Sequence, residues 1–126
     1  MSNSKNFIDN GNDTITDLTM KLIWKKKDSF QDTKKWQNWF KCQDYAEIIN
    51  IQRFAGSEDW RYPNEAEAWS LFNLDYKNTD KYGDEIYLHE IFEPGAGGTT
   101  WTIDEKDSSA LVVQYEDGVK VWPSKY

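Results

Sequence analysis

Few side chains in this sequence can act as nucleophiles, general bases or soft metal ligands. Cys42 is the only cysteine and His89 the only histidine, and they lie 47 positions apart. A nucleophilic thiol needs a base within hydrogen-bond reach, so these two could act together only if the fold brought them into contact. Zinc sites need three or four ligands, mostly cysteine and histidine. The sequence therefore predicts no catalytic residue and no zinc site.

Oxygen-bearing side chains cluster in the run Asp9-Asn10-Gly11-Asn12-Asp13. The run has the composition of a calcium loop, but no bidentate glutamate follows at the spacing that such loops use. Asn-Gly is also a strong signal for a tight turn between strands. We interpret the run as a turn that enters a strand. We expect no cofactor, with calcium as the alternative.

Aromatic residues are the other group with binding potential, since the chain has seven Trp, seven Tyr and six Phe. Residues 75–98 show neither helical nor strand periodicity, and a loop of this length in a compact domain is commonly functional. Aromatic side chains in such a loop offer a large contact area at low entropic cost. We expect the ligand-binding residues here and on the strands that follow: Tyr82, Tyr87, His89, Trp101 and Trp122. Trp101 and Trp122 could equally be core residues.

The stretch 55–69 carries the clearest local signals for the elements that position these residues. Pro63 keeps the preceding residue out of the helical conformation. Asn64 is a favourable N-cap, and Glu67 completes a capping box at the start of a helix that we expect to run to about residue 74. Asp59 and Arg61 are interpreted as an internal ion pair, with a binding pair as the alternative, and Trp60 as a core residue. The structural signature is Asp59, Trp60, Arg61, Pro63, Asn64 and Glu67.

The other elements follow from hydrophobic patterning. Residues 15–24 alternate loosely and predict one long strand or two short ones. Asp32 or Thr33 can cap a helix that runs to about residue 50, with Trp36, Trp39, Cys42, Ala46 and Ile49 along its apolar face. On that face Cys42 is expected to be a small core residue, with a reactive thiol as the alternative. Three closing strands are expected at 99–105, 110–115 and 119–122, the last two joined by an Asp117-Gly118 turn.

The motif Gly-x-x-Asp-Trp-Arg-x-Pro-Asn-x-x-Glu at 56–67 resembles the signature of a bacterial family known from the C-terminal domain of the Lcl collagen-like adhesin. Thr14–Trp24, Thr100–Thr102 and Val112–Gly118 are similar to its opening and closing strands. Residues 61–67 also resemble a motif of the formylglycine-generating sulfatase-modifying family. Both resemblances imply an α+β, C-type-lectin-like fold, with two helices on a twisted antiparallel sheet and a long loop region that carries ligand sites.

The activities of these families do not carry over with the fold. The sulfatase modifiers need a C-terminal cysteine pair for copper, and this half of the chain has no cysteine. Calcium-dependent sugar lectins of this fold use a Glu-Pro-Asn loop, of which Glu93-Pro94-Gly95 matches only part. The Lcl adhesin's glycosaminoglycan binding depends on a basic surface, which an acidic chain does not predict.

Length and charge define the remaining expectations. The 126 residues suit one domain spanning 1–126, with the polar residues 1–6 expected to be disordered. A net charge of −7 argues against nucleic acid and anionic membrane as partners. The run Lys25–Lys27 is interpreted as a solvated face. Without a visible signal peptide the chain is expected to be cytoplasmic, or secreted if a signal was removed.

We therefore expect a non-enzymatic module that binds a protein or glycan ligand through the long loop and the closing strands. The alternatives are an assembly component of a larger bacterial complex, or a remote enzyme of the sulfatase-modifying type. The oligomeric state does not follow from the sequence.

Overall fold

The computed structural model describes residues 6–126, an α+β fold with three short helices and, within that range, three small antiparallel sheets. The disorder expected for residues 1–5 lies outside the described residues. The Asn6 carbonyl accepts a hydrogen bond from the Leu18 backbone N–H at 2.8 Å, which attaches Asn6 to the domain. The expectation of one sheet and two helices is therefore wrong in its number of elements.

The first sheet consists of strands β1 (Phe7–Asp9), β2 (Thr14–Asp17) and β3 (Leu22–Lys25). The segment 15–24 thus forms two short strands, one of the two alternatives. A turn separates them because the Asp17 carboxylate accepts hydrogen bonds from the backbone N–H groups of Thr19 and Met20, both at 3.1 Å. Ile15 is fully buried and anchors the sheet to the core.

Two helices replace the single one expected between residues 32 and 50. Helix α1 (Ser29–Thr33) begins at the capping residue Asp28, and helix α2 (Trp39–Ile51) begins at Asn38. Lys34 adopts the left-handed conformation with φ 62°, which ends α1 because helical residues have negative φ. Trp36 consequently lies in the connection and is exposed, so its placement on a buried helical stripe is wrong.

Helix α3 (Glu65–Ser70) begins as the sequence predicts. The Asn64 side chain accepts from the Glu67 backbone N–H, and the Glu67 side chain accepts from the Asn64 backbone N–H, each at 2.8 Å. The helix is shorter than expected because its C-cap lies at Leu71. The Leu71 backbone N–H donates to the Ala68 carbonyl at 3.3 Å, which tightens the last turn.

The long segment after α3 contains a two-stranded ladder, β4 (Asn78–Thr79) and β5 (Glu85–Ile86). It is followed by the predicted meander of β6 (Thr99–Lys106), β7 (Ser109–Gln114) and β8 (Val119–Val121). The Asp117-Gly118 turn is confirmed, with Gly118 at φ +70°. The meander is therefore the part of the fold that local patterning describes best.

The main core lies where α3, the first sheet and β7 meet, and includes Ile15, Ala68, Leu71, Ile86 and Val113. Trp60 is half-buried beside Phe54 and lies outside this cluster, which corrects the expectation of a core tryptophan. Within residues 6–126, none of the helices combines the length and apolar composition that crossing a bilayer requires.

Candidate functional site

The signature residues support the fold locally. Arg61 Nη1 and Nη2 donate to Glu67 Oε1 and Oε2 at 2.8 and 2.9 Å. Hydrogen bonding from Arg61 holds the pKa of Glu67 below its usual value. The Asp59–Arg61 ion pair is therefore wrong, because Arg61 is turned towards Glu67 and Asp59 is exposed. The signature ties the extended segment before Pro63 to the first turn of α3.

A cleft of about 240 Å³ lies between the α1–α2 region and the start of β6. We call it the aromatic cleft, since Phe30, Trp36, Tyr45, Tyr62 and Trp101 are among the residues that line it. Trp101 is half-buried in its wall, where the indole Nε1–H donates to the Gln37 carbonyl at 3.0 Å. The cleft is mostly apolar, as is usual for ligand sites in proteins.

Helix α1 fixes the long loop along one side of this cleft. The Asp28 carboxylate caps α1 and also accepts from the Gly97 backbone N–H at 2.8 Å. Gln31 Nε2 donates to the carbonyls of Glu93 and Pro94, both at 2.9 Å. The turn Glu93–Gly98, which composition alone marks as flexible, is thus attached to a helix by three hydrogen bonds.

Phe30 and Trp36 line the cleft, and their rings meet Lys81 and Tyr82 of the long loop beside it. Lys81 Nζ lies 4.1 Å from the Trp36 ring centroid, 4.4 Å from that of Tyr82 and 5.4 Å from that of Phe30. It also donates to the Gly97 carbonyl at 3.3 Å. We call Phe30, Trp36, Tyr82 and Lys81 the aromatic rim. Cation–π attraction holds its rings in place, while Trp36 and Tyr82 remain 56% and 75% exposed.

The five predicted ligand-binding residues do not form one surface. Tyr82 belongs to the rim and Trp101 to the cleft wall. Tyr87 is half-buried, with its ring against Phe72 at 5.7 Å. Trp122 is exposed just beyond β8, and β7 separates β8 from β6 in their sheet. The structure therefore places Trp122 away from the cleft wall that Trp101 forms.

The structure corrects the prediction that His89 binds a ligand, because His89 is buried and cannot contact a ligand at the surface. Its ring lies between Phe7 and Tyr76, with centroids 5.1 and 4.9 Å away. Burial lowers the pKa of the imidazole, and Nδ1 accepts a hydrogen bond from the Ile91 backbone N–H at 2.9 Å. A neutral His89 is thus part of the packing under the long loop.

Sequence reasoning missed three rim residues, Phe30, Trp36 and Lys81. Trp36 fits the apolar spacing of a helix, so the pattern predicts a buried core residue. The sequence around Lys81 does not distinguish it from an ordinary surface lysine. The only available signal was the pair Lys34-Lys35 before Trp36, since two consecutive charges fit poorly in a buried helix.

Cys42 lines the aromatic cleft and is half-buried rather than fully buried. Its Sγ lies 3.8 Å from Ser29 Oγ, and burial raises the pKa of the thiol. A raised pKa leaves less thiolate at neutral pH, which disfavours nucleophilic chemistry. His89 belongs to a different cluster, so the two residues do not form a dyad.

The oxygen-rich turn at 9–13 is engaged in its own hydrogen bonds. Asp9 Oδ1 accepts from the Gly11 N–H and Asp9 Oδ2 from Lys26 Nζ, both at 2.9 Å. The carbonyl oxygen of the Asn12 side chain accepts from the Thr14 hydroxyl. Across residues 6–126, no group of three or more His, Cys, Asp or Glu side chains is arranged to hold a metal ion.

Comparison with known proteins gives one match. The family model described as the Lcl C-terminal domain matches residues 13–126, nearly the whole chain. No curated protein and no solved structure matches. The matched range includes the signature, the aromatic cleft and the closing meander, and the chain therefore belongs to the Lcl C-terminal domain family.

Proposed function

We propose that this domain is a non-enzymatic binding module that recognises a protein or glycan ligand through the aromatic rim. The observation that carries the proposal is the exposure of Trp36 and Tyr82, whose rings both contact Lys81, next to an apolar cleft that Trp36 lines. Large aromatic rings are costly to leave in water, and grouped exposed rings commonly mark interaction sites.

The rim rings already have contacts within the protein. Lys81 contacts both exposed rings, and Trp36 packs directly on Gly97, where an added Cβ would lie 3.4 Å from the indole. A ligand that stacks on these rings therefore loses little side-chain entropy on binding. Such rigid rings suit both the apolar face of a sugar and the side chains of a peptide.

A C-type-lectin-like fold is part of the same proposal. The α+β architecture, the closing antiparallel meander and the family membership support it. The long segment 75–98 supplies Lys81 and Tyr82 to the rim, in the part of the chain where this fold carries ligand sites.

Single substitutions at the rim test the proposal. Trp36→Ala and Tyr82→Ala are each expected to weaken ligand binding by about 1–4 kcal/mol, the range for interface anchors. The ligand is first identified on a printed glycan array and by photo-crosslinking from an unnatural residue at position 82. Binding is then measured by calorimetry, and folding by thermal melting.

Trp122→Ala is the matched control, because Trp122 is exposed but lies beyond β8. It should bind as the unaltered protein does. Equal loss from all three variants, or unchanged binding in both rim variants, would refute the rim as the ligand surface.

The assembly alternative is favoured by one specific observation. Phe40, Ile48 and Ile51 are exposed on α2, and the Tyr126 ring lies 5.1 Å from that of Phe40. Residues 40, 48 and 51 share one helical face, so a second protein could cover it. If it does, Ile51→Glu should abolish that association in sedimentation velocity while leaving rim binding intact.

A further inference from the structure

The residues that line the aromatic cleft are more often basic than acidic, although the whole protein is acidic. The chain has a net charge of −7. The cleft lining includes five basic residues, Lys25, Lys26, Lys27, Lys35 and Arg61, and two acidic ones, Asp28 and Glu93. Clefts with low-dielectric walls strengthen the field of the charges that line them, so a cation that is left unpaired in this lining can attract an anion even though the domain as a whole repels one.

Not all of these cations are available to a ligand. Lys25 is paired with Asp32 at 2.5 Å and Lys26 with Asp9 at 2.9 Å, while Arg61 is bound to Glu67. Among residues 6–126, no carboxylate lies within ion-pair distance of Lys27 or Lys35, or of Lys81 at the rim. Lys27 and Lys35 are therefore the ammonium groups of the lining that a ligand could engage, whereas Lys81 Nζ already contacts three rings and the Gly97 carbonyl.

The acidic residues of the lining already have hydrogen-bond donors or a cation beside them. The Asp28 carboxylate already accepts hydrogen bonds from the backbone N–H groups of Gln31 and Gly97, at 2.9 and 2.8 Å. Both donors place partial positive charge beside the carboxylate. Glu93 lies near Lys26, whose pKa it helps to raise.

We infer that the aromatic cleft takes a small ligand group with an apolar, ring-sized body and one carboxylate, the body between the aromatic side chains and the carboxylate beside an unpaired lysine of the lining, Lys27 or Lys35. The inference rests on the proposed function, because it names the chemistry of the group that the binding module would recognise. A cavity of about 150 Å³ can hold benzene, so a cleft of about 240 Å³ has room for such a ring. Two unpaired lysines suit one carboxylate, and they do not make the extended basic surface that a polyanion needs.

A matched set of indole compounds tests the inference. Indole-3-acetate, indole-3-acetamide and tryptamine share one apolar body and carry a negative, neutral and positive group. Binding is followed by NMR through the indole N–H signals of Trp36 and Trp101, assigned with Trp36→Phe and Trp101→Phe. We expect indole-3-acetate to bind at least about tenfold more tightly than the amide, and tryptamine more weakly still.

Charge variants separate the lysines from the rest of the site. Lys27→Met/Lys35→Met should weaken indole-3-acetate binding about five- to tenfold and leave the amide unchanged, with the difference falling at high salt. Lys106→Met is the control, because Lys106 is exposed at the far end of β6 and does not line the cleft. It should change neither affinity.

N-acetyltryptophan distinguishes a free acid from the carboxyl end of a peptide. Tighter binding than that of indole-3-acetate would assign the carboxylate to a chain end, and weaker binding would assign it to a free acid; both support the inference. Equal affinity for the acetate and the amide would overturn it while leaving the rim proposal standing. No saturable shift of the Trp36 and Trp101 signals up to about 1 mM would also overturn it. The rim proposal would then be judged by the binding of its own ligand to Trp36→Ala and Tyr82→Ala.

Discussion

Replacing Gly118 by alanine is expected to lower the free energy of unfolding by about 2–5 kcal/mol. Two costs add at this position. Gly118 has φ +70°, a conformation that disfavours a Cβ, and an added Cβ would lie 2.4 Å from the Phe72 ring. Phe72 cannot easily move aside, because its ring is stacked on Trp69 at 5.2 Å and contacts Tyr87 at 5.7 Å. Urea denaturation of both proteins measures the difference.

Two comparisons separate these costs. Gly83 has φ +82° but nothing within 4 Å of an added Cβ, so Gly83→Ala should cost only the backbone term, about 1–2 kcal/mol. In a Phe72→Leu background, Gly118→Ala should likewise fall to about 1–2 kcal/mol, since the ring is gone. Equal costs for Gly118→Ala and Gly83→Ala would show that the close approach of Phe72 has no energetic weight.

Glu67→Ala is expected to destabilise the protein by about 2–3 kcal/mol. The substitution removes both contacts to Arg61 and the hydrogen bond that Glu67 accepts from the Asn64 N–H. The Arg61 side chain is half exposed, so water partly compensates for the lost ion pair. Differential scanning calorimetry and urea denaturation at neutral pH both report the effect.

Two further variants and a pH series show which interactions cause the destabilisation by Glu67→Ala. Glu67→Gln should retain the capping box and lose only the ion-pair part, and Asp59→Ala should be nearly neutral because Asp59 is exposed. The folded-state pKa of Glu67 is lowered from its ordinary 4.5. Its stabilising effect is therefore complete above that pH and disappears as pH falls through the folded-state value. A large loss of stability in Asp59→Ala would instead indicate that Asp59, and not Glu67, is the partner of Arg61.

Elements whose causes are local in sequence are the ones that the sequence predicts correctly. The capping box at Asn64 and Glu67 uses groups three residues apart. The closing meander depends on alternation within each strand and on the Asp117-Gly118 turn. In each case the interacting groups are neighbours along the chain, so local propensity and the final structure agree.

The division of one predicted helix into α1 and α2 shows how a periodic pattern can mislead. Trp36 fits the apolar spacing of a helix, and the Lys34-Lys35 pair before it gives only a weak warning. The chain instead turns at Lys34 and carries Trp36 onto Gly97, more than 60 positions away. Local pattern also fails to predict the burial of His89, because that burial depends on Phe7 and Tyr76 rather than on residues next to it in the sequence.

The sequence alone determined the family, the α+β composition, the capped start of α3 and the closing meander, because these depend on residue types at short spacing. Tertiary structure alone decided which charge faces Arg61, which aromatic rings stay in water and which cations surround the cleft. Each of these depends on contacts between distant segments, such as Asp28 with Gly97 and Lys81 with Trp36. Aromatic and charged side chains are stable both in a packed site and at a surface, so their identity does not specify their partners until the chain has folded.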